Sequence, residues 1–143
     1  MRVFFDASVI IAALLSPTGG SSQLLKYIKF GKITAITSQT VIEEILEEDK
    51  TPRIKKSKTQ IGQFIADSKL IVRKPITIDE IEPYQGLVDV EDAHLIAGAN
   101  LTKCGYLVTL DKKHLLRPDI QKKFLSLKIV SPGELLEELV SGK

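Results

Sequence analysis

A single cysteine, Cys104, leaves the chain without an internal disulfide, and neither a CxxC pair nor a His/Cys set with zinc-ligand spacing is present. A reducing cytoplasm fits that usage. Charge of one sign is also missing: 20 Lys and Arg against 18 Asp and Glu leave a net +2, so no overall basic field marks a nucleic-acid binder by composition. Long apolar runs are absent as well, and Met1 leads through Val3–Phe5 straight to Asp6 without the basic-then-apolar layout of a secretion signal. The expectation is a soluble, unprocessed protein with no membrane partner.

What is present is an apolar fraction of 43% in 143 residues, enough for one domain, residues 1–143, with a core of its own. Basic residues gather in two places. Arg53, Lys55, Lys56 and Lys58 form one group, and Lys112, Lys113, His114 and Arg117 form another. Such runs are read either as solvated loops or as phosphate contacts for a nucleic acid, with Lys55, Lys56, Lys112 and Lys113 the candidates for the second role.

Short apolar runs alternate with stretches of helical period. Residues 3–5, 33–37, 70–72, 106–110 and 127–130 read as strands, and 9–15, 22–30, 41–48, 58–68, 89–101 and 133–140 as helices. Alternation of this kind predicts parallel pairing with helical crossovers, because helices must cover both faces of a buried sheet. The expected fold class is α/β, a three-layer α/β/α sandwich around a mainly parallel sheet. Pro17 to Ser22 joins the first two helices, with a serine available to cap the second. The segment 75–86 reads as a loop or a short irregular helix.

In parallel sheets, ligands bind beyond the carboxyl ends of the strands. Asp6 ends the first apolar run, Asp111 ends the fourth, Asp92 opens the most apolar helix, and Glu44 lies early in the helix after the second strand. Each has a structural role open to it. Asp6 suits a helix N-cap, Asp89 and Asp92 have the spacing of a capping-box variant, Glu44 belongs to an acidic run extending to Asp49, and Asp111 could start a turn. Together they suggest more, because like charges gathered at one sheet edge repel unless a cation occupies the gap. Oxygen donors without histidine or cysteine suit Mg²⁺ or Mn²⁺, and such sites activate water for attack on phosphate esters. Helical spacing puts Val41, Glu44, Ile45 and Glu48 on one stripe, which favours Glu44 over Glu43 as ligand while leaving Glu43 open. Asp92 shares a stripe with Ile96 and Ala99. His94, two positions on, is expected to face away from it, and Cys104 is expected to be apolar filler.

Four segments carry a family likeness. Val3-Phe4-Phe5-Asp6-Ala7-Ser8-Val9-Ile10-Ile11, Ser38 to Ile45, Asp89 to Ala99 and Leu107-Val108-Thr109-Leu110-Asp111 resemble, in order and spacing, the successive signatures of the PIN-domain family. The loop Leu14 to Gly19 resembles the branch of toxin components of toxin–antitoxin pairs related to VapC toxins. The resemblance implies Mg²⁺- or Mn²⁺-dependent endoribonuclease activity on single-stranded RNA, frequent homodimers and a cognate antitoxin. It also implies metal-site roles for Asp6, Glu44, Asp92 and Asp111. Ser8 and Thr109 match its small hydroxyl positions, and Asp89 is a candidate either to support the ligands from behind or to cap the helix. Ala7 departs from the family, standing where a threonine or other small polar residue is usual. A haloacid-dehalogenase reading would want a second Asp where Ser8 stands, and a receiver domain would want a lysine ending the last strand, which Lys128 does not do. The alternatives kept are a catalytically silent PIN-fold RNA-binding or interaction module and a non-toxin RNA-processing nuclease.

Overall fold

The computed structural model describes residues 1–47 and 51–142. Among these, five strands run β1 (Arg2–Phe5), β2 (Thr34–Ser38), β3 (Ile71–Arg73), β4 (Tyr106–Val108) and β5 (Lys128–Val130), every neighbouring pair parallel, in the spatial order β3-β2-β1-β4-β5. The order reverses direction at β1: β2 and β3 extend from one side of it, β4 and β5 from the other. A crevice therefore opens between the carboxyl ends of β1 and β4, where such sheets bind ligands. The three-layer α/β/α sandwich expected from the alternating pattern is the observed architecture.

β1 is central because Val3, Phe4 and Phe5 are fully buried, as a strand covered on both faces requires. The helices are α1 (Ala7–Leu15), α2 (Gly20–Lys29), α3 (Gln39–Ile45), α4 (Thr51–Ile54), α5 (Lys58–Asp67), α6 (Ile78–Ile81), α7 (Ala93–Leu101), α8 (Pro118–Gln121) and α9 (Pro132–Val140). α7 is buried from Ala93 through Ala99 and packs on β1 and β4; a helix apolar all round belongs in the middle of a layer. Gly98 sets how close it comes. A Cβ there would lie 2.6 Å from Phe4 Cζ, so only glycine lets the helix rest on that ring.

Several boundaries differ from the sequence reading. The helix expected over 89–101 begins at Ala93, since Asp89 to Asp92 form a turn closed by Asp92 N–H donating to the Asp89 carbonyl. α3 starts at Gln39, two residues earlier than expected, because Ser38 accepts from Val41 N–H and caps it. The expected serine cap of α2 is instead Gly19, and Ser22 donates its hydroxyl to the carbonyls of Ala13 and Ser16, tying α2 to α1. The segment expected to be a loop or an irregular helix contains α6 and a 3-10 turn over Glu82–Tyr84, anchored by a capping box of Thr77 and Glu80. Glu48 and Asp49, part of the acidic run, lie outside the described residues.

Candidate active site

Asp6 follows β1 into the crevice. Its backbone sits at the N-cap of α1, yet its side chain makes no capping bond. Oδ2 instead accepts from Thr109 Oγ1 at 2.7 Å and Ser8 Oγ at 2.9 Å. Those hydroxyls are each used twice: Thr109 Oγ1 accepts from Asp111 N–H and Ser8 Oγ from Leu110 N–H, both at 3.1 Å. The end of β1 and the loop after β4 are thereby joined through one carboxylate. Burial pushes the Asp6 carboxyl above the ordinary range, the two hydroxyls and the Ala7 backbone N–H hold it down, and the Glu44 charge raises it slightly.

Asp92 is the N-cap residue of α7 and also makes no side-chain capping bond. Burial first, then the charges of Asp111, Asp6 and Asp89, push its carboxyl up to about 7, with His114 acting the other way. Its capping alternative is thus unused, while three other acids lie near enough to oppose its ionisation. Asp111 does make the turn open to it: Oδ1 accepts from Lys113 N–H at 3.1 Å and His114 N–H at 2.9 Å. The turn aims the remaining oxygen, Oδ2, at the His114 ring, 3.3 Å from Nδ1.

Glu44 arrives from α3, half-buried, whereas Glu43 beside it is exposed. The burial pattern and the coupling of Glu44 to Asp6 favour Glu44 as the member of the cluster. Its Oε1 lies 2.7 Å from Nε2 of His94, a contact short in distance but poorly aligned for donation. Helical spacing from Asp92 predicts that His94 faces away from the acids. Asp92 stands outside α7, however, and the His94 ring reaches Glu44 across the gap between two helices. Asp89 is exposed, accepts from Glu91 N–H at 3.0 Å and comes within 3.8 Å of His114 Nε2.

Asp6, Glu44, Asp92 and Asp111, from four distant segments, therefore come within electrostatic reach along the carboxyl end of the sheet, Glu44 acting on Asp6, and Asp6 and Asp111 on Asp92. Ser8, Thr109 and Asp89 border them. Ligand atoms of Asp92, Asp111 and His114 lie within 4.8 Å of one another, a spacing that a divalent cation can bridge. Hard carboxylate oxygens that disfavour each other's ionisation fit such an ion, whose charge would replace the repulsion with attraction. His114 is not marked as a site residue by the sequence; its only signal there is the three-residue interval from Asp111. Lys112 and Lys113 are exposed directly after Asp111, while Lys55 is exposed and Lys56 half-buried just after α4, which touches α1. Cys104 is buried, with Sγ 3.3 Å from Thr102 Oγ1, as expected of a small filler. No single helix among the described residues is long and apolar enough to cross a membrane.

No curated protein matches the chain in sequence. Among solved structures, one chain of VapBC2 from Rickettsia felis, in a crystal structure bound to a DNA fragment from their promoter, superposes with a TM-score of 0.62. At 16% identity, covering 92% of this chain and 98% of that one, the similarity is one of fold. The family model described as PIN domain matches residues 2–113, which take in all four acids and the residues Ser8, Asp89 and Thr109 that border them. On that match, the chain belongs to the PIN-domain family.

Proposed function

We propose that the protein is a metal-dependent endoribonuclease that hydrolyses phosphodiester bonds of single-stranded RNA, acting in the cytoplasm as the toxin of a toxin–antitoxin pair. The observation that carries the reading is that Asp6, Glu44, Asp92 and Asp111 come within electrostatic reach along the carboxyl end of the sheet. Two of these acids occupy cap positions without making a side-chain capping bond. A cluster that costs stability through repulsion and leaves cap bonds unmade is accounted for by function more simply than by structure.

Asp6, Glu44, Asp92 and Asp111 would hold Mg²⁺ or Mn²⁺. When bound, such an ion supplies a countercharge for phosphate and lowers the pKa of water toward neutrality. The chain's own contribution is orientation. Ser8 and Thr109 fix Asp6, and two backbone amides fix Asp111. Attack by water leaves a 5′-phosphate and a 3′-hydroxyl and needs no 2′-hydroxyl nucleophile. Lys112 and Lys113, one and two residues beyond Asp111, and Lys55 and Lys56 after α4 would neutralise RNA phosphates. The toxin assignment draws on the loop Leu14 to Gly19 and on the fold shared with a VapBC2 chain; an antitoxin and a homodimer are its expected partners.

The test is cleavage of a single-stranded RNA with Mg²⁺ or Mn²⁺, with EDTA, and with Asp6→Asn and Asp92→Asn. Loss in EDTA and a fall on the order of 10² in each variant are expected, since ~1 Å of misplacement costs that much. Undiminished cutting in EDTA, or near-normal turnover by both variants, defeats the reading. An intact fold that binds RNA without cutting it would leave a silent binding module. A small reading frame for a DNA-binding antitoxin directly upstream is the expected genomic companion, and its absence would return the enzyme to RNA processing.

A further inference from the structure

The acids form an all-oxygen donor set, yet the side chain standing against Asp111 is an imidazole. His114 Nδ1 is 3.3 Å from Asp111 Oδ2, and its other nitrogen, Nε2, faces Asp89 Oδ2 at 3.8 Å. The main chain at His114 is tied to the same carboxylate, because its backbone N–H donates to Asp111 Oδ1 at 2.9 Å. Asp111 and His114 thus belong to one turn, and Asp92 comes to it from the start of α7, all three offering ligand atoms within 4.8 Å of each other.

We infer that His114 is a metal ligand through Nδ1, beside Asp92 and Asp111, and that Asp89 holds its Nε2–H. The inference rests on the nuclease reading of the site and deepens it by naming the ion class. Two atoms bonded at right angles to one ion at about 2.1 Å sit roughly 3 Å apart, close to the Nδ1–Oδ2 separation in this turn. A ligating histidine almost always donates its second N–H to a carboxylate, carbonyl or water, and the group on that side of the ring is a carboxylate. At 3.8 Å the Asp89 contact is longer than a hydrogen bond, and the assignment requires the half-exposed ring to turn toward Asp89 when the ion binds. Imidazole nitrogen added to carboxylate oxygen moves a site away from Mg²⁺ toward first-row ions. The protein should therefore bind Mn²⁺ and Co²⁺ in preference to Mg²⁺.

The experiment loads the full chain with Mn²⁺ alone and records electron spin-echo modulation from directly bonded ¹⁴N, alongside titrations with Mn²⁺, Co²⁺ and Mg²⁺. Nitrogen coupling is expected in the parent and its loss in His114→Asn. That variant should keep a Mn²⁺ site weakened on the order of tenfold or more, with Mg²⁺ affinity far less changed. The parallel variant His114→Gln guards against an effect peculiar to one substitution, and unfolding curves establish that both are folded. Mn²⁺ bound without nitrogen coupling, or coupling that persists in both variants, overturns the ligand assignment and leaves the nuclease reading standing. A parent that binds Mg²⁺ but not Mn²⁺ overturns the ligand assignment alone, and a parent that binds neither overturns both.

Discussion

Thr109 donates its hydroxyl to Asp6 at 2.7 Å across 103 residues of sequence. The bond closes the end of β1 against the loop after β4, and Thr109, fully buried, has no freedom to point elsewhere. Thr109→Val keeps the shape and removes the donor, so turnover should fall about tenfold, the lower end for groups that orient ligands. Thr109→Ser should recover much of it. Equal activity of the valine variant and the parent would show that Asp6 is held well enough by Ser8.

Neutralising Asp6 should stabilise the metal-free protein. Asp6→Asn relieves repulsion and retains an oxygen for the two hydroxyls, so a gain of about 0.5–2 kcal/mol is expected. Mn²⁺ should stabilise the parent more than the variant, because it binds the folded parent more tightly. Thermal unfolding of both proteins in EDTA and in Mn²⁺ gives the four values; no metal shift in either, with no gain in the variant, would mean the carboxylates do not act as a cluster.

The raised Asp92 carboxyl fixes the sign of a pH effect. The folded protein holds this proton up to about pH 7, whereas an unfolded aspartate releases it at about pH 4. Between those values the folded state binds more protons than the unfolded state, so stability falls as pH rises. Measured in EDTA as the difference from Asp92→Asn, which lacks the group, the parent should lose ground steadily from about pH 4 to about pH 7 and level off above. A difference that stays constant, or grows in the parent's favour, contradicts the burial and repulsion described for Asp92.

Gly98 sets the distance between α7, which Asp92 immediately precedes, and β1, which Asp6 immediately follows. Gly98→Ala puts a methyl carbon against the Phe4 ring and should cost about 1–3 kcal/mol, as overpacking of a filled core does. Metal affinity should weaken with it, because Asp92 would be displaced relative to Asp6. A stable variant with unchanged Mn²⁺ affinity would show that the ring can give way without moving the helix.

The lysines are expected to serve affinity and not chemistry. Replacing Lys55, Lys56, Lys112 and Lys113 by alanine should flatten the salt dependence of RNA binding, by roughly 0.7 in log–log slope for each single-strand phosphate that is no longer neutralised. An unchanged slope would return them to ordinary solvated surface.

How much of the molecule is legible in its sequence follows from the range of the interactions involved. The apolar runs and their alternation with helical periods are local signals, and they determined the layered α/β class. The family signatures marked Asp6, Glu44, Asp92 and Asp111, because each acid sits at a fixed offset from a strand end or helix start. Boundaries are less legible: Ser38 caps α3 and Asp89 turns the chain ahead of α7 through single hydrogen bonds whose alternatives look equally good in sequence. Only the tertiary structure decided which acids keep their cap bonds, that Glu44 and not Glu43 faces Asp6, and that His94 and His114 reach the acids at all. The spacing of His94 from Asp92 points the wrong way, since the rule of helical faces does not apply when one of the two residues lies outside the helix. Asp6 and Thr109, 103 residues apart, share a bond because parallel pairing of β1 with β4 puts their strand ends side by side, and no local property of either segment encodes that neighbour.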